Sequence, residues 1–405
     1  MQATKPFDII CLSTAHWDAP LWTNRQRLMN IYTQNHRVLF VEPGLYSKSY
    51  TLDFVRRQPG RLQPSQWIHK EKENLWVYSP NLLPLYRYSP QIQNRAWAIA
   101  LRHIQKFCRQ NKMDQPVLWL YSPAAIGALG HLNESLVVYD CVDNYAATPY
   151  YAKSRTRAEL LQKQENRLLQ CADLVTTTSH SLFEEKNQIN HNTHFVPNVG
   201  DAEHFGKALL SETPIAEDIA EIQKPIIGFI GAVNAHKLDF DLIVEIARKS
   251  PQFQYVFIGP TAGWGGNTDT SRLNLPNIHL LGARDYNLLP NYLKAFDICI
   301  IPYALNSYTQ HVFPLKFYEF MAAGKPIVAT PLPSLSSQKD MIYIAETAEK
   351  FVGSIHAALD EHDGTIRQKR IDLARQNTWQ HRAMRIEELV TTALQNKYGK
   401  STASS

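Results

Sequence analysis

The chain has 405 residues, of which 44% are hydrophobic and 20% charged, and its formal net charge is +5. This composition excludes an intrinsically disordered chain, and the length predicts two domains. No run of eighteen apolar residues occurs, so we expect no membrane-spanning helix. The start of the chain lacks a signal-peptide pattern, and the five cysteines form no Cys-x-x-Cys pair. We therefore expect a cytoplasmic protein without disulfides or a zinc site.

Apolar strands alternate with amphipathic helices along the whole chain, a pattern typical of α/β domains with parallel sheets. The first half predicts strands at 7–12, 38–41, 67–68, 75–78, 117–121, 136–139, 174–177 and 194–196, and helices at 24–34, 90–112, 151–171 and 181–187. Residues 206–223 are charged, lack strand periodicity and are interpreted as an interdomain linker. The second half predicts strands at 225–231, 254–258, 278–281, 297–302, 327–329 and 341–345, and helices at 239–250, 288–296, 315–323, 347–361, 365–376 and 379–397.

Positive charge is concentrated in the first 200 residues, which contain 22 Lys and Arg against 15 Asp and Glu. This asymmetry predicts an anionic partner for the first half of the chain. The predicted helix at 90–112 places Arg95, Arg102, Lys106 and Arg109 within one face. Two interpretations of this face stay open, a solvated outer surface or a contact with anionic lipid.

The most informative segment is 311–330, which predicts a loop, a helix, a tight turn and a buried strand. Pro314 suits the first turn of a helix, and Gly324 suits its end. The helix start, with Lys316 in its first turn, offers unpaired N–H groups and a positive dipole end to a phosphate. Glu319, one turn along, can accept hydrogen bonds from a ribose diol. The segment therefore predicts a site for a nucleoside-diphosphate sugar, and the alternative is an ordinary amphipathic helix.

This segment resembles the donor-site helix of retaining GT-B glycosyltransferases of the large family 4, also called group 1. The usual family motif has two glutamates eight residues apart. Glu319 matches the second glutamate, which binds the ribose in the family, and His311 stands at the position of the first. The resemblance therefore places His311 near the transferred sugar.

Further segments carry the same resemblance. Residues 171–179 and 196–205 resemble the end of the first domain of this family, and residues 228–231 resemble the first strand and turn of its donor domain. Trp379 and Arg382 are placed as in the closing segment of the family, which crosses back onto the first domain.

The resemblance implies an α/β chain with the GT-B fold, in which two Rossmann-like parallel-sheet domains face a cleft. We assign residues 1–205 to an acceptor-binding domain, 206–223 to the linker and 224–378 to a nucleotide-sugar donor domain. Residues 379–405 are predicted to form a helix that returns to the first domain, followed by a frayed tail.

The turn after Gly231 faces the donor diphosphate in such proteins. The family often has an arginine directly after this glycine, where this chain has Ala232, and Lys237 remains nearby. The resemblance thus implies a donor-binding set of Gly231, Lys237, Arg284, Pro314, Leu315, Lys316 and Glu319. For Lys237 the alternative is a solvated lysine before a helix, and for Arg284 it is a surface residue rather than a contact at the base.

Two carboxylates follow a predicted strand of the first domain. Asp140 and Asp143 come after strand 136–139, at the edge that faces the cleft of an open α/β sheet. We expect at least one of them to hold a sugar hydroxyl or to assist the acceptor, and the alternative is that Asp143 caps the next segment. The predicted catalytic residues are Asp140, Asp143, Lys316 and His311.

The loop after the first strand is rich in aromatic residues. It contains His16, Trp17 and Trp22 and leads to Arg25 on the first helix. Aromatic faces suit a sugar ring and arginine suits an acceptor phosphate, so we assign these four residues to acceptor binding. The two tryptophans could equally be core residues.

The predicted function is a retaining, metal-independent glycosyltransferase of the hexosyltransferase type. It moves a sugar from a UDP- or GDP-linked donor to a hydroxyl acceptor in envelope or extracellular polysaccharide or glycolipid assembly. We expect no cofactor besides the nucleotide sugar, a sugar or lipid-linked acceptor, no nucleic acid, and a peripheral contact with the inner membrane face. Two alternatives stay open: a nucleotide-sugar 2-epimerase of the same fold, with His311 and Asp140 as acid–base groups, and a non-catalytic nucleotide-sugar-binding module.

Overall fold

The computed structural model describes residues 6–19, 21–43, 67–80, 90–263 and 266–399. The first α/β unit is built on a sheet whose strands in this part of the chain are β1 (Asp8–Leu12), β2 (Arg37–Val41), β3 (Ile68–Lys72), β4 (Leu75–Tyr78), β5 (Val117–Leu120), β6 (Leu136–Cys141), β7 (Leu174–Thr177) and β8 (Thr193–Phe195). Their order in space is β3-β4-β2-β1-β5-β6-β7-β8. All neighbours are parallel except β3, which runs antiparallel to β4.

The helices of the first unit cover both faces of this sheet, which explains why its central strands are apolar throughout. They are α1 (Asn24–Tyr32), α2 (Pro90–Asn111), α3 (Pro149–Ala152), α4 (Arg155–Cys171) and α5 (His180–Asn187). Short 3-10 helices lie at Pro123–Ala128 and Tyr145–Ala147. At the start of α1, Thr23 and Gln26 form a capping box, in which the Thr23 backbone N–H donates to the Gln26 side chain at 3.2 Å.

The second unit is built on a parallel sheet and a small hairpin. Its strands are β9 (Ile226–Ile230), β10 (Gln254–Ile258), β11 (Ala262–Gly263), β12 (Gly266–Asn267), β13 (Ile278–Gly282), β14 (Ile298–Ile301), β15 (Ile327–Ala329) and β16 (Tyr343–Ile344). The parallel sheet has the order β13-β10-β9-β14-β15-β16, and β11 pairs with β12. The predicted α/β architecture of two units with parallel sheets is confirmed.

Helices of the second unit surround this sheet. They are α6 (Ala202–Gly206), α7 (Glu217–Ala220), α8 (Phe240–Lys249), α9 (Leu289–Ala295), α10 (Leu315–Ala322), α11 (Ala348–Leu359) and α12 (Gly364–Gln376). Short 3-10 helices lie at Lys207–Leu209, Ser271–Leu273, Tyr286–Leu288, Thr309–His311 and Pro333–Gln338.

The segment assigned to the linker is packed structure that begins earlier than we expected. Ala202, Phe205, Ala208 and Ile219 all belong to the hydrophobic core of the second unit. The boundary set at residue 205 therefore falls inside α6, because apolar residues on both sides of it pack on the same core. The ends of the predicted domains, residues 1–5 and 400–405, and with them the predicted frayed tail, lie outside the described residues.

The last helix, α13 (Trp379–Gly399), returns to the first unit. Trp379, Ala383 and Ile386 are buried in the core of the first unit, between its sheet and α1. Arg382 on this helix is fully buried and forms an ion pair with Asp140 of β6. Among the described residues, no helix is long and apolar enough to cross a membrane.

Candidate functional site

Helix α10 begins at Leu315, as its sequence predicts, and ends at Ala322, one residue before the predicted end. Pro314 is its N-cap residue, with an extended backbone at φ −69° and ψ 123°. After the last turn, Gly324 adopts a left-handed φ of 64°, and its N–H donates to the Met321 carbonyl at 2.8 Å. The helix follows β14 and precedes β15, so its N-terminus lies at the carboxyl edge of the second sheet, which is where open α/β sheets bind ligands.

The first turn of α10 contains an ion pair. The Lys316 ammonium donates to the Glu319 carboxylate at 2.6 Å, and the two side chains are 20% and 9% exposed. As at every helix start, the first N–H groups have no partner inside the helix. The arrangement thus offers donors for an anion and, one turn further, a nearly buried acceptor for hydroxyl groups.

The turn after β9 lies directly against this helix start. A Cβ atom at Gly231 would be 3.4 Å from Lys316 Cε, and one at Gly259 would be 1.9 Å from the Gly231 carbonyl oxygen. The turn after β10 can approach the turn after β9 this closely because position 259 is glycine, and both Gly231 and Gly259 have a positive φ, 157° and 146°. The structure therefore brings together the predicted residues Gly231, Pro314, Leu315, Lys316 and Glu319.

Lys237 joins this group from the same turn. Burial, the largest influence, lowers the pKa of its ammonium; Asp143 opposes that change, and Lys316 adds to it. Lys316 makes the charged form of Lys237 less stable because the two ammonium groups repel each other. Together they produce a positive electrostatic field at the mouth of the cleft. Such a field is the electrostatic condition for binding a diphosphate.

We expect the affinity for UDP to depend on pH through Lys237. Below the lowered pKa of the free protein this lysine is charged before and after binding, so affinity is constant. Above that pKa, binding must take up a proton, because the diphosphate stabilises the ammonium, so affinity falls as pH rises by up to about tenfold per unit. Calorimetry of UDP between about pH 7 and about pH 10 measures this decline. Lys237→Gln should remove it, whereas Lys339→Gln on the exposed surface should not, and an unchanged decline in Lys237→Gln would contradict the assignment.

Asp143 reaches the cleft from the first unit. The Tyr308 hydroxyl of the second unit donates to it at 3.2 Å, and the Arg25 guanidinium lies 4.0 Å away. Burial raises the pKa of the Asp143 carboxyl, and Arg25, Lys237 and the Tyr308 hydrogen bond counteract that rise. Asp143 therefore connects the two units beside the lysines.

The structure does not bring Asp140 into the cleft, and the interpretation of this residue as a catalytic carboxylate is wrong. Strand β6 continues through Cys141, so Asp140 lies inside the sheet and is fully buried. It accepts a hydrogen bond from Thr176 at 2.9 Å and pairs with the buried Arg382 at 3.4 Å. Its role is to hold the last helix on the first sheet.

His311 lies at the interface of the two units rather than with the lysines. Its Nδ1 is 3.0 Å from the Ser181 hydroxyl of the first unit. Burial lowers the pKa of this imidazole, which favours its neutral form. The pairing of His311 with Asp140 that an epimerase was expected to use is not formed.

The aromatic loop after β1 is mostly packed inside the first unit. His16 and Trp17 are buried. His16 Nδ1 is 3.2 Å from Glu42, and the backbone N–H of Trp17 donates to the same carboxylate at 2.9 Å. Trp22 Nε1 donates to the Trp17 carbonyl at 3.1 Å. For Trp17 the core interpretation is the one that the structure supports, because the residue is 6% exposed and its ring packs against Phe40.

Arg25 is the residue of this acceptor set that the structure places near the cleft. It is buried, donates to the Tyr145 hydroxyl at 2.5 Å, and lies near Asp143.

Within the described ranges, one group could hold a metal ion: His16, Asp18 and Glu42 have ligand atoms within 4.8 Å of one another. Glu42 already accepts from Trp17 and Ser79, so its carboxylate is engaged in the fold. Independence from a metal stays a prediction.

The Arg284 side chain is bound by residues of the second unit. Its guanidinium donates to Asp218 at 2.6 Å and to the Tyr292 hydroxyl at 2.8 Å. The surface interpretation of Arg284 therefore holds, and its proposed contact with a base does not, because both partners lie on helices of the same unit.

Two contacts of the site were not predicted from the sequence. Tyr308 reaches across to Asp143 from a loop without any motif. Arg27 forms an ion pair with Asp201 at 3.0 Å and stacks over Tyr286, 4.9 Å from its ring centre. Burial and then the charge of Glu319 raise the pKa of the Tyr286 hydroxyl, which indicates that this ring lies near the Glu319 carboxylate. The only signal for these contacts is distance in space, which spacing along the chain does not show.

Comparison with known proteins gives a matching family model and a similar curated protein. Residues 224–361 match the family model described as Glycosyl transferases group 1. The chain is 33% identical over 256 residues, 60% of its length, to the putative teichuronic acid biosynthesis glycosyltransferase TuaH of Bacillus subtilis strain 168. That match spans 64% of the relative, somewhat less than two thirds of its length.

Solved structures share the whole architecture. A glycosyltransferase from Rickettsia africae superposes with a TM-score of 0.69 at 13% identity, covering 96% of this chain and 99% of that one. Sucrose-phosphate synthase from Thermosynechococcus elongatus gives 0.68 at 15% identity, covering 98% and 100%. HepE from Anabaena, solved with UDP-glucose, gives 0.67 at 15% identity, covering 95% and 99%. The predicted GT-B fold and the resemblance to the group 1 glycosyltransferases are confirmed.

Proposed function

We propose that this chain, whose residues 224–361 form a group 1 glycosyltransferase domain, moves a sugar from a nucleoside-diphosphate donor to a hydroxyl acceptor. The observation that carries the proposal is the convergence of Lys316 with Glu319 at the start of α10 and of Lys237 beside them. Two ammonium groups and a helix N-terminus suit a diphosphate, and the adjacent, nearly buried carboxylate suits a ribose diol.

In the proposed reaction, the bond from the anomeric carbon to the phosphate oxygen breaks, and a bond to the acceptor oxygen forms on the same face. The acceptor proton passes to the leaving phosphate, and attack on the same face retains the anomeric configuration. Lys316, Lys237 and the helix start stabilise the charge that develops on the diphosphate, which requires no metal ion. Positioning supplies the remainder of the rate enhancement.

Asp143 is the group that we assign to the sugar or the acceptor. It reaches the cleft from the first unit, and Tyr308 and Arg25 hold its carboxylate. We therefore propose that it accepts a hydrogen bond from a hydroxyl of the sugar or acceptor.

The similar proteins indicate which class of donor and which class of acceptor to propose. The HepE structure contains UDP-glucose, and a further structural neighbour from Escherichia coli contains UDP-2-fluoro glucose. We propose a UDP-linked sugar as the donor, with GDP-linked sugars as the second choice. TuaH is named for teichuronic acid biosynthesis, which supports an acceptor in envelope polysaccharide assembly.

The test is to incubate the protein with UDP-sugars, with and without oligosaccharide or lipid-linked acceptors, and to follow the products by NMR. The proposal predicts a new glycoside of the same anomeric configuration, formed only when acceptor is present. Sugar isomers formed from donor alone would establish a 2-epimerase instead. Donor binding without any product would establish a binding module.

We further propose that the first unit contacts the inner membrane surface. Arg95, Arg102, Lys106 and Arg109 are all exposed on α2, and no ion pair joins them to another residue in the described part of the chain. Each basic residue near an anionic leaflet contributes about 1 kcal/mol. We expect the protein to sediment with anionic but not neutral vesicles and to be released by salt.

The control for this prediction is a variant with all four residues changed to Gln. It should lose vesicle binding but keep its affinity for UDP, because none of the four residues belongs to the donor site around α10. Equal sedimentation with anionic and neutral vesicles would show that the protein has no electrostatic membrane contact.

A further inference from the structure

A groove lies on the first unit, where α2 crosses the edge strands β3 and β4. It has a volume of about 340 Å³, and its lining includes Trp67, Lys70, Trp76, His103, Lys106 and Phe107. None of these residues takes part in the cleft described above. The groove combines aromatic rings with two ammonium groups, and the cleft chemistry does not explain that combination.

The groove follows from the architecture of the sheet edge. A helix is about 10–12 Å wide with its side chains, and strands are spaced about 4.8 Å apart, so α2 cannot cover every strand of an eight-stranded sheet. Lys70 pairs with Trp76 across the two strands, so both side chains point to the face that α2 covers only partly. The side chains between helix and edge strand therefore line an open trough.

The position of the groove separates it from the cleft. Helix α2 connects β4 to β5, which run parallel within one sheet, so α2 runs in the opposite direction to the strands. His103, Lys106 and Phe107 belong to its C-terminal half and thus lie toward the amino ends of the strands. The cleft is at the carboxyl ends.

The aromatic residues of the groove are held in fixed orientations. Trp76 makes an edge-to-face contact with Phe107, with 5.5 Å between ring centres, and Trp67 does the same with His103 at 5.0 Å. Rings that are fixed in this way form a rigid apolar wall, to which a ligand binds with little loss of entropy. Both tryptophans remain partly exposed.

The charges of the groove are positive. Lys70 and Lys106 are exposed, and the Lys70 ammonium lies 5.9 Å from the centre of the Trp76 ring. Burial, followed by the charge of Lys106, lowers the pKa of His103, so this imidazole is neutral near pH 7 and offers a polar partner to Tyr78 and to a ligand. The fitting ligand has flat apolar faces and carries carboxylates along its length.

We propose that this groove is a second, non-catalytic binding site for an acidic sugar chain. The C–H faces of the sugar rings pack on Trp67 and Trp76, and the uronate carboxylates pair with Lys70 and Lys106. This inference rests on the proposed function, in which the acceptor belongs to envelope polysaccharide assembly, and the two lysines of the groove select an acidic chain within that class. A second contact would retain the growing chain while its end is in the cleft.

The test measures binding of a trigalacturonate by calorimetry, with maltotriose as the neutral comparison. Wild-type protein should bind the acidic trimer and not the neutral one, and the K70Q/K106Q variant should bind the acidic trimer at least tenfold more weakly. The matched control is R95Q/R102Q/R109Q, which removes three charges from the same helix but none from the groove and should bind like wild type. UDP affinity should be equal in all three proteins.

Four outcomes would overturn the inference. The first two are that the wild type does not bind the trimer, or that K70Q/K106Q binds it as tightly as the wild type. The third is that the R95Q/R102Q/R109Q control loses as much affinity for the trimer as K70Q/K106Q. The fourth is that K70Q/K106Q loses binding to anionic vesicles but keeps its affinity for the trimer. Thermal unfolding of each variant shows that it is folded. Failure to bind UDP would contradict the proposed function and leave the result on the groove intact.

Discussion

Replacing Lys316 by Gln should lower turnover by about 10²–10³-fold, which corresponds to about 2.7–4 kcal/mol of transition-state stabilisation. The effect is large because charge develops on the diphosphate as it leaves, and the Lys316 ammonium lies at the helix start where that charge appears. Glutamine keeps most of the length and the hydrogen-bonding capacity of the side chain. The loss therefore reports on charge rather than on packing.

The measurement is kcat with the donor that supports transfer, together with the Kd for UDP. We expect kcat to fall more than UDP affinity, because the interaction strengthens as the bond breaks. Lys339→Gln, a change of the same kind on the exposed surface, is the control and should leave both unchanged. A kcat within threefold of wild type in Lys316→Gln would exclude a catalytic role for this lysine.

Replacing Arg382 by Leu should lower the free energy of unfolding by about 3–5 kcal/mol, because it leaves the Asp140 carboxylate buried without its counter-ion. Both side chains of this pair are 0% exposed. The guanidinium also donates to the Pro197 carbonyl at 2.6 Å and to the Val196 carbonyl, so three acceptors lose their donor together. Helix α13 should detach first from the first unit.

Urea unfolding measures the loss, and hydrogen exchange of α13 locates it. The double variant D140N/R382L should recover part of the stability, because it removes the unpaired charge. A loss below about 1 kcal/mol in Arg382→Leu would mean that water or relaxation satisfies Asp140, and the account of α13 as a helix anchored by this pair would be wrong.

The elements around α10 could be predicted because their signals are local. Pro314 and Gly324 mark the two ends of the helix, and the apolar run after Gly324 forms the buried strand β15. Each of these signals acts through backbone conformation within a few residues. The structure confirms the helix, its ends and the positions of Lys316 and Glu319 on it.

The predictions for Asp140 and Arg284 were wrong for one physical reason. Each side chain pairs with a residue that is far away in the sequence. The apolar pattern of β6 stops at Tyr139, but Thr176 and Arg382 stabilise Asp140 inside the sheet and allow the strand to continue. Arg284 is occupied by Asp218, 66 residues earlier. No periodicity reveals such pairs.

The interpretation of residues 206–223 as an interdomain linker was wrong for a related reason. Its polar composition conceals Ala208 and Ile219, which pack on the core of the second unit. Two well-placed apolar residues suffice to dock a segment on a core, although its average composition is that of a loop.

The most direct test of the central claim compares UDP with 2′,3′-dideoxy-UDP on wild-type protein and on Glu319→Ala. A carboxylate that binds the ribose diol makes the two changes redundant, since each removes the same hydrogen bonds. We predict that wild type loses about 1.5–3 kcal/mol of binding free energy on deletion of the hydroxyls and that Glu319→Ala loses almost none. Equal losses in the two proteins would show that Glu319 does not bind the ribose and would contradict the donor site proposed at α10.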